Sequence, residues 1–342
     1  MVSFTLFFFI ISLIVLISRH FNRPLKFFDK DATLPLRGLF ALTICLHHLS
    51  YDWSDLDGTI INKELGCWGG ITVGLFFFLS GYGLQLSLIK KGSSYLDGFL
   101  YKRLSKILFP LFVVTIIYQS ILAIDGLCYP EEWIHNFMTG HVPSPSSWFA
   151  YTIILFYFCF YIINNYLFFN KLLSGIMLFA FFTMAYYYAL SQILNWDAYW
   201  YASIIPLPLG SFYAYYEARI KCVINTYQRV TYIALATLLL IMSVYVTIGS
   251  YFYPLPGWGQ ITINLLPLAM PLLLYKEHFV KGALLSCLNC LGKYSYEFYL
   301  IHGVVIYVTL KLTTHPLLLT SIVLFVTFFA SKILNKLCVK IL

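Results

Sequence analysis

Apolar residues in this chain gather into blocks close to the roughly 20 residues that a bilayer core requires of one helix. Eleven blocks stand out, at 3–18, 37–51, 68–89, 107–124, 148–165, 173–191, 201–216, 230–248, 260–275, 294–310 and 316–333, and each predicts a transmembrane helix. Pro206 and Pro208 fall inside the seventh block and Pro267 and Pro271 inside the ninth, so kinks are expected there. The longest outside connection, "DGLCYPEEWIHNFMTGHVPSPSS", reads as a polar, Pro-rich loop, either a plain connector or a lid over an outer opening.

The polar connections set the orientation. The first block, "MVSFTLFFFIISLIVLIS", has no basic residue before it and no small-residue cleavage site after it, and "RHFNRPLK" follows. That order predicts a retained helix with its N-terminus outside. Of the 22 Lys and Arg, 20 then fall in cytoplasmic connections, with five each in 19–37 and 90–106; Lys63 and Lys311 alone lie outside. An N-out, C-in protein of the cell (inner, cytoplasmic) membrane is expected.

Composition agrees. The 342 residues are 60% hydrophobic, 19% aromatic and only 11% charged, with a mean hydropathy of +0.80, which excludes a soluble protein of this size. The net charge of +8 has no soluble domain to carry it, so nucleic acid is excluded as a partner and the lipid bilayer takes its place. The fold class is an all-α integral membrane protein, with residues 1–30 as a helix and basic connection and 31–342 as the membrane domain. All eight cysteines read as structural; "CLNC" at Cys287 and Cys290 lacks a second ligand pair, and no metal is expected.

Within that frame the stretch "PLRGLFALTICLHHLSYDW" is unusual. Eleven residues separate His48 from Arg37, so His48 sits roughly 16 Å deeper than a cytoplasmic Arg37, near the middle of the membrane. Intramembrane ionisable groups are costly and by default functional. His47 lies on a different face from His48, and Asp52 follows His48 by four residues, the spacing at which a carboxylate orients an imidazole on one helical face. Further along, Ser80 and Tyr82 interrupt an aromatic run in "FFFLSGYG". Arg103 and Lys106 lie three apart where a helix enters from the cytoplasm, a placement suited to phosphate. Tyr296 and His302 share a helix in "SYEFYLIHG", with His302 about 12 Å in.

Taken in order, Arg37 with His48 after ten residues, the "FFFLSGYG" element, "FLYKRLSKILFP" with Pro110, and "LGKYSYEFYLIHG" resemble the membrane acyltransferase-3 family of bacterial O-acyltransferases. The resemblance spans residues 37 to about 310. Two features depart from it: the first helix precedes the family's usual start, and Lys106 stands where a second arginine is common, keeping the charge but losing the bidentate fork. The resemblance implies a ten-helix core preceded by one extra helix, and transfer of an acyl group, typically acetyl, from cytosolic acyl-CoA to a hydroxyl of an extracytoplasmic glycan. Acyl-CoA enters as donor substrate, with no permanently bound cofactor. His48 would be catalytic with Asp52 beside it; Arg37, Arg103 and Lys106 would hold CoA; and Ser80, Tyr82, Tyr296 and His302 would line the pocket. A sugar hydroxyl is a poor nucleophile at neutral pH, so the chemistry needs such a base. The soluble glycerolipid acyltransferase H-x4-D pattern also fits His47 and Asp52, but here it lies within a span. The alternative is a polytopic exporter of glycan intermediates, which would also combine kinked helices with midplane polar residues.

Overall fold

The computed structural model describes residues 30–53, 59–139, 146–167, 171–227 and 283–341, with isolated positions between 230 and 267. Its α-helices are α1 (Lys30–Ser50), α2 (Ile60–Lys91), α3 (Phe99–Ile124), α4 (Trp133–Thr139), α5 (Trp148–Ile162), α6 (Leu172–Tyr188), α7 (Pro206–Tyr215), α8 (Glu217–Thr226), α9 (Ala283–Lys293), α10 (Ser295–Leu310) and α11 (Pro316–Ile341). Among the described residues no strand occurs. Among the described residues five helical stretches are long and apolar enough to cross a membrane: Trp68–Tyr95, Phe99–Ile124, Trp148–Leu167, Leu172–Ile193 and Pro316–Ile341. The chain is therefore an all-helical protein suited to multiple membrane passes. The expected span 3–18, and most of 230–248 and 260–275, lie outside the described residues.

Outward-facing side chains identify the solvent. On α3, Ile107, Leu111, Val114, Tyr118 and Leu122 recur every three or four residues and are buried, while Phe112, Ile116 and Ile117 between them are exposed. A water-soluble helix would place polar groups at the exposed positions; apolar groups there match a hydrocarbon environment. On α11 the same alternation buries Leu319, Val323, Thr327 and Leu334 and exposes Leu317, Phe325 and Ile333.

The chain divides into two compact units. The first combines α1 and α2 with α7, α8, α9 and most of α6. Its two closest helix crossings are built on glycine. A Cβ at Gly292 would stand 1.9 Å from the Leu34 carbonyl oxygen and one at Gly38 would stand 2.2 Å from that of Leu288, so only hydrogen at both positions lets α9 cross α1. Similarly, Gly81 meets the Leu207 carbonyl and Gly210 that of Phe78, and the Ser211 hydroxyl donates to the Gly81 carbonyl at 3.2 Å. Such small-residue crossings let backbones approach where no hydrophobic force between helices exists. The order of these contacts, Phe78 and Gly81 of α2 against Gly210 and Ser211 of α7, together with Gly70 against Ser203, makes α2 and α7 parallel.

The second unit contains α3, α4, α5, α10 and α11. Here α3 and α10 also run parallel: Tyr296 near the start of α10 donates to the Ile107 carbonyl at 3.0 Å, and Tyr307 near its end donates to Asp125 just past α3 at 2.7 Å. Lys311 completes an ion pair with Asp125, tying together two helix ends that the basic-residue count places on one side.

Three sequence expectations change. Pro206 and Pro208 do not kink a span; they occupy the first turn of α7, where a missing N–H leaves no bond unmade. The connection before residue 293 contains the helix α9, apolar but, at 11 residues, too short to cross a membrane. The loop read after α3 holds a 3₁₀ turn, Pro130–Glu132, and the short α4.

Candidate functional site

α1 continues unbroken through both Arg37 and His48. Eleven residues at about 100° each amount to three turns plus about 20°, so the two side chains project from the same face about 16 Å apart along the helix. Both are half-buried. The helix ends at Ser50, whose hydroxyl donates to the His47 carbonyl at 2.7 Å. Asp52 therefore lies in the turn beyond it and not on the helical face its spacing from His48 predicted. Burial raises its carboxyl above the ordinary carboxylate value.

The adjacent histidine is held in place. His47 Nδ1 lies 2.9 Å from the Leu65 carbonyl oxygen on α2. A carbonyl only accepts, so Nδ1 carries the proton and neutral His47 keeps its lone pair on Nε2. That second nitrogen abuts Gly69, where a Cβ would stand 2.3 Å from it, so the ring is wedged between two turns of α2. His48 and Tyr51 pack edge-on against the His47 ring, at 4.9 and 5.0 Å between centroids.

On α2, Ser80 is half-buried and makes no hydrogen bond to a described residue, so no base activates it there. Tyr82 is buried in the same unit and donates to Glu217 at 3.1 Å, while Glu217 pairs with Lys221.

In the second unit, Arg103 is half-buried one turn into α3. Its guanidinium donates to the Tyr95 hydroxyl at 2.6 Å and lies 5.8 and 6.0 Å from the Tyr95 and Phe99 ring centroids. Among the described residues it pairs with no carboxylate. A partly buried guanidinium without an anion is the charge state that an incoming phosphate would complete. Lys106, one turn on, is exposed.

His302 is fully buried in α10. Its Nδ1 donates to the Tyr299 carbonyl at 2.5 Å, which leaves Nε2 to accept from the Ser146 hydroxyl at 3.3 Å. Tyr296 spends its hydroxyl on Ile107, one residue from the Lys106 carbonyl that Pro110 cannot serve. Sequence reasoning missed Ser146 and the fixing of His47, because both depend on contacts distant along the chain.

A family model described as an acyltransferase domain, the acyltransferase-3 type, matches residues 36–335. The chain belongs to the acyltransferase-3 family. That match takes in α1 from just before Arg37, all of α2 to α10 and most of α11, so every candidate residue above lies within it. It supports acyltransferase activity for the chain. The comparisons with curated proteins and with solved structures gave no match.

Proposed function

We propose that the protein transfers an acyl group, acetyl in the simplest case, from cytosolic acyl-CoA to a hydroxyl of an extracytoplasmic or lipid-linked surface polysaccharide, in a bacterial cell membrane. The observation that carries this reading is the placement of Arg37 and His48 three turns apart on one face of a continuous α1, inside a chain of the acyltransferase-3 family. The fixing of His47 supports the choice between the two histidines: one ring nitrogen is committed to Leu65 and the other is pressed on Gly69, which leaves His48 as the base.

In this mechanism the acceptor hydroxyl oxygen attacks the thioester carbonyl while His48 takes its proton. The tetrahedral intermediate collapses with cleavage of the carbon–sulfur bond, and the His48 imidazolium returns the proton to the CoA thiolate. Transfer is direct; Ser80, which has no base bonded to it among the described residues, shapes the pocket. Asp52, outside the helix, steadies the turn that ends α1. Arg103 and Lys106 in the second unit, and Arg37 in the first, are read as contacts for CoA phosphates; Tyr82 in the first unit, and Tyr296 and His302 in the second, commit their polar atoms to protein groups and are read as pocket-lining residues of their own units.

Labelled acetyl-CoA offered to the purified protein in nanodiscs tests the reading. Release of free CoA thiol, accelerated by added glycan acceptor, is the expected result. An exporter would leave the thioester intact, and that outcome would overturn the proposal.

A further inference from the structure

Two side chains on α3 are buried without a hydrogen-bond partner among the described residues. Thr115 and Gln119 are 3% and 1% exposed, and the Thr115 hydroxyl and both amide atoms of Gln119 make no hydrogen bond. Each such orphan is expensive, and native proteins keep few of them without a reason. Gln85 and Asn289 each leave one amide atom without a hydrogen bond; among the described residues Gln119 alone leaves two. The pair is one helical turn apart, so its three polar functions converge on one face.

Their position along α3 narrows the ligand. Gln119 stands five residues from the end of the helix at Ile124, about 7.5 Å, whereas Arg103 lies sixteen residues earlier, about 24 Å away. One end of the helix thus carries cations, whereas near the other, where Asp125 and Lys311 offset each other's charge, Thr115 and Gln119 form a neutral set of donors and acceptors. A phosphate belongs with the first. The second set, an amide oxygen, an amide N–H and a hydroxyl, complements adjacent hydroxyls of a sugar ring: one ligand O–H donates to Oε1, its neighbour accepts from Nε2, and Thr115 bonds either.

We propose that Thr115 and Gln119 form the subsite that binds the acceptor sugar through its hydroxyl groups. This rests on the acyl-CoA-to-glycan reading above. Neither residue touches the reacting atoms; they decide which acceptors are held.

The near-isosteric variants Gln119→Leu and Thr115→Val remove the orphaned atoms and therefore keep the fold. Steady-state kinetics with acetyl-CoA and a panel of methyl glycosides of glucose, galactose and N-acetylglucosamine should show the acceptor KM raised about tenfold in each variant, the loss expected of one unmade hydrogen bond in a polar subsite. The acetyl-CoA KM and acceptor-independent hydrolysis should not move. An unchanged acceptor KM with a raised Tm would overturn the subsite, since the orphans would then only cost stability. A raised acetyl-CoA KM would overturn it too, by assigning the groups to the amides of the CoA arm. Should the wild type not turn over acetyl-CoA, the acyltransfer reading fails, and saturation-transfer NMR with the same glycosides decides this inference alone. Contact with the glycosides that Gln119→Leu abolishes supports the subsite; no contact, or contact the variant retains, overturns it.

Discussion

The histidine pair at the end of α1 and the single histidine of α10 pose the same problem of an ionisable ring inside a membrane helix and resolve it differently. His302 is fully buried, with one ring nitrogen donating to its own helix and the other accepting from Ser146 at the start of α5. It binds two helices together and its proton positions are fixed. In α1 that fixing falls to His47, bonded to Leu65 and wedged at Gly69, while His48 stays half-buried beside it on the Arg37 face. Intramembrane position alone does not identify a catalytic base; a fully buried ring whose two nitrogens both bond to packed helices, as in His302, serves the fold.

This contrast predicts opposite outcomes for the two alanine variants. His48→Ala should lower turnover by about 10² to 10⁴, the usual worth of a positioned base, with little change in Tm. His302→Ala should instead cost about 1–3 kcal/mol of stability, because it removes the acceptor of the buried Ser146 hydroxyl and leaves a fully buried ring's place empty, as thermal unfolding in nanodiscs would register. The same loss of stability from both would dissolve the distinction.

Arg103→Ala should weaken CoA binding by about tenfold to a hundredfold, read by calorimetric titration with a non-hydrolysable acyl-CoA analogue, and the deficit should shrink at high salt. Lys106, exposed and without a fork, should matter less. A smaller effect is expected at the C-terminal turn of α1. Asp52→Asn should reduce turnover only several-fold, since the carboxylate lies beyond the helix and does not accept the proton itself. Full activity at every pH would remove Asp52 from the site.

The smallest effect lies in the second unit, at Asp125. Hydrogen bonds from Lys311 and Tyr307 hold its carboxyl below the ordinary value. Protonation must therefore be forced on the folded state, so the tie stabilises the fold above the unfolded value of about pH 4 and is lost as pH falls through the lower folded one. Asp125→Asn should flatten that acid limb of the Tm profile; an unchanged limb would discount the tie.

Much of this was legible along the chain. The blocks at 107–124 and 316–333 became α3 and α11, because hydrophobic length is a local property and a bilayer reads it directly. Helix ends were less legible: α1 begins at Lys30 and α11 extends to Ile341, since hydrogen bonding continues where lipid contact stops. Pro206 was misjudged because its penalty depends on position within a helix, which hydropathy does not report. The distance of His48 from Arg37 along one helix followed from spacing alone; their shared face needed the unbroken α1. Asp52 did not, because its spacing argument assumed a helix that stops at Ser50. The bond between Ser146 and His302, 156 residues apart, is a product of packing that no local pattern encodes.

The central claim, that His48 and not His47 is the base, is tested most directly by measuring acetyl transfer in His47→Asn and His48→Asn side by side. An asparagine at 47 still offers an N–H near the Nδ1 position, so the bond to Leu65 survives and turnover should stay within about tenfold of wild type. At 48 the same change leaves no basic nitrogen, and transfer should fall by at least about a hundredfold while CoA affinity holds. Normal turnover in His48→Asn, or an inactive His47→Asn beside an active His48→Asn, would contradict the account.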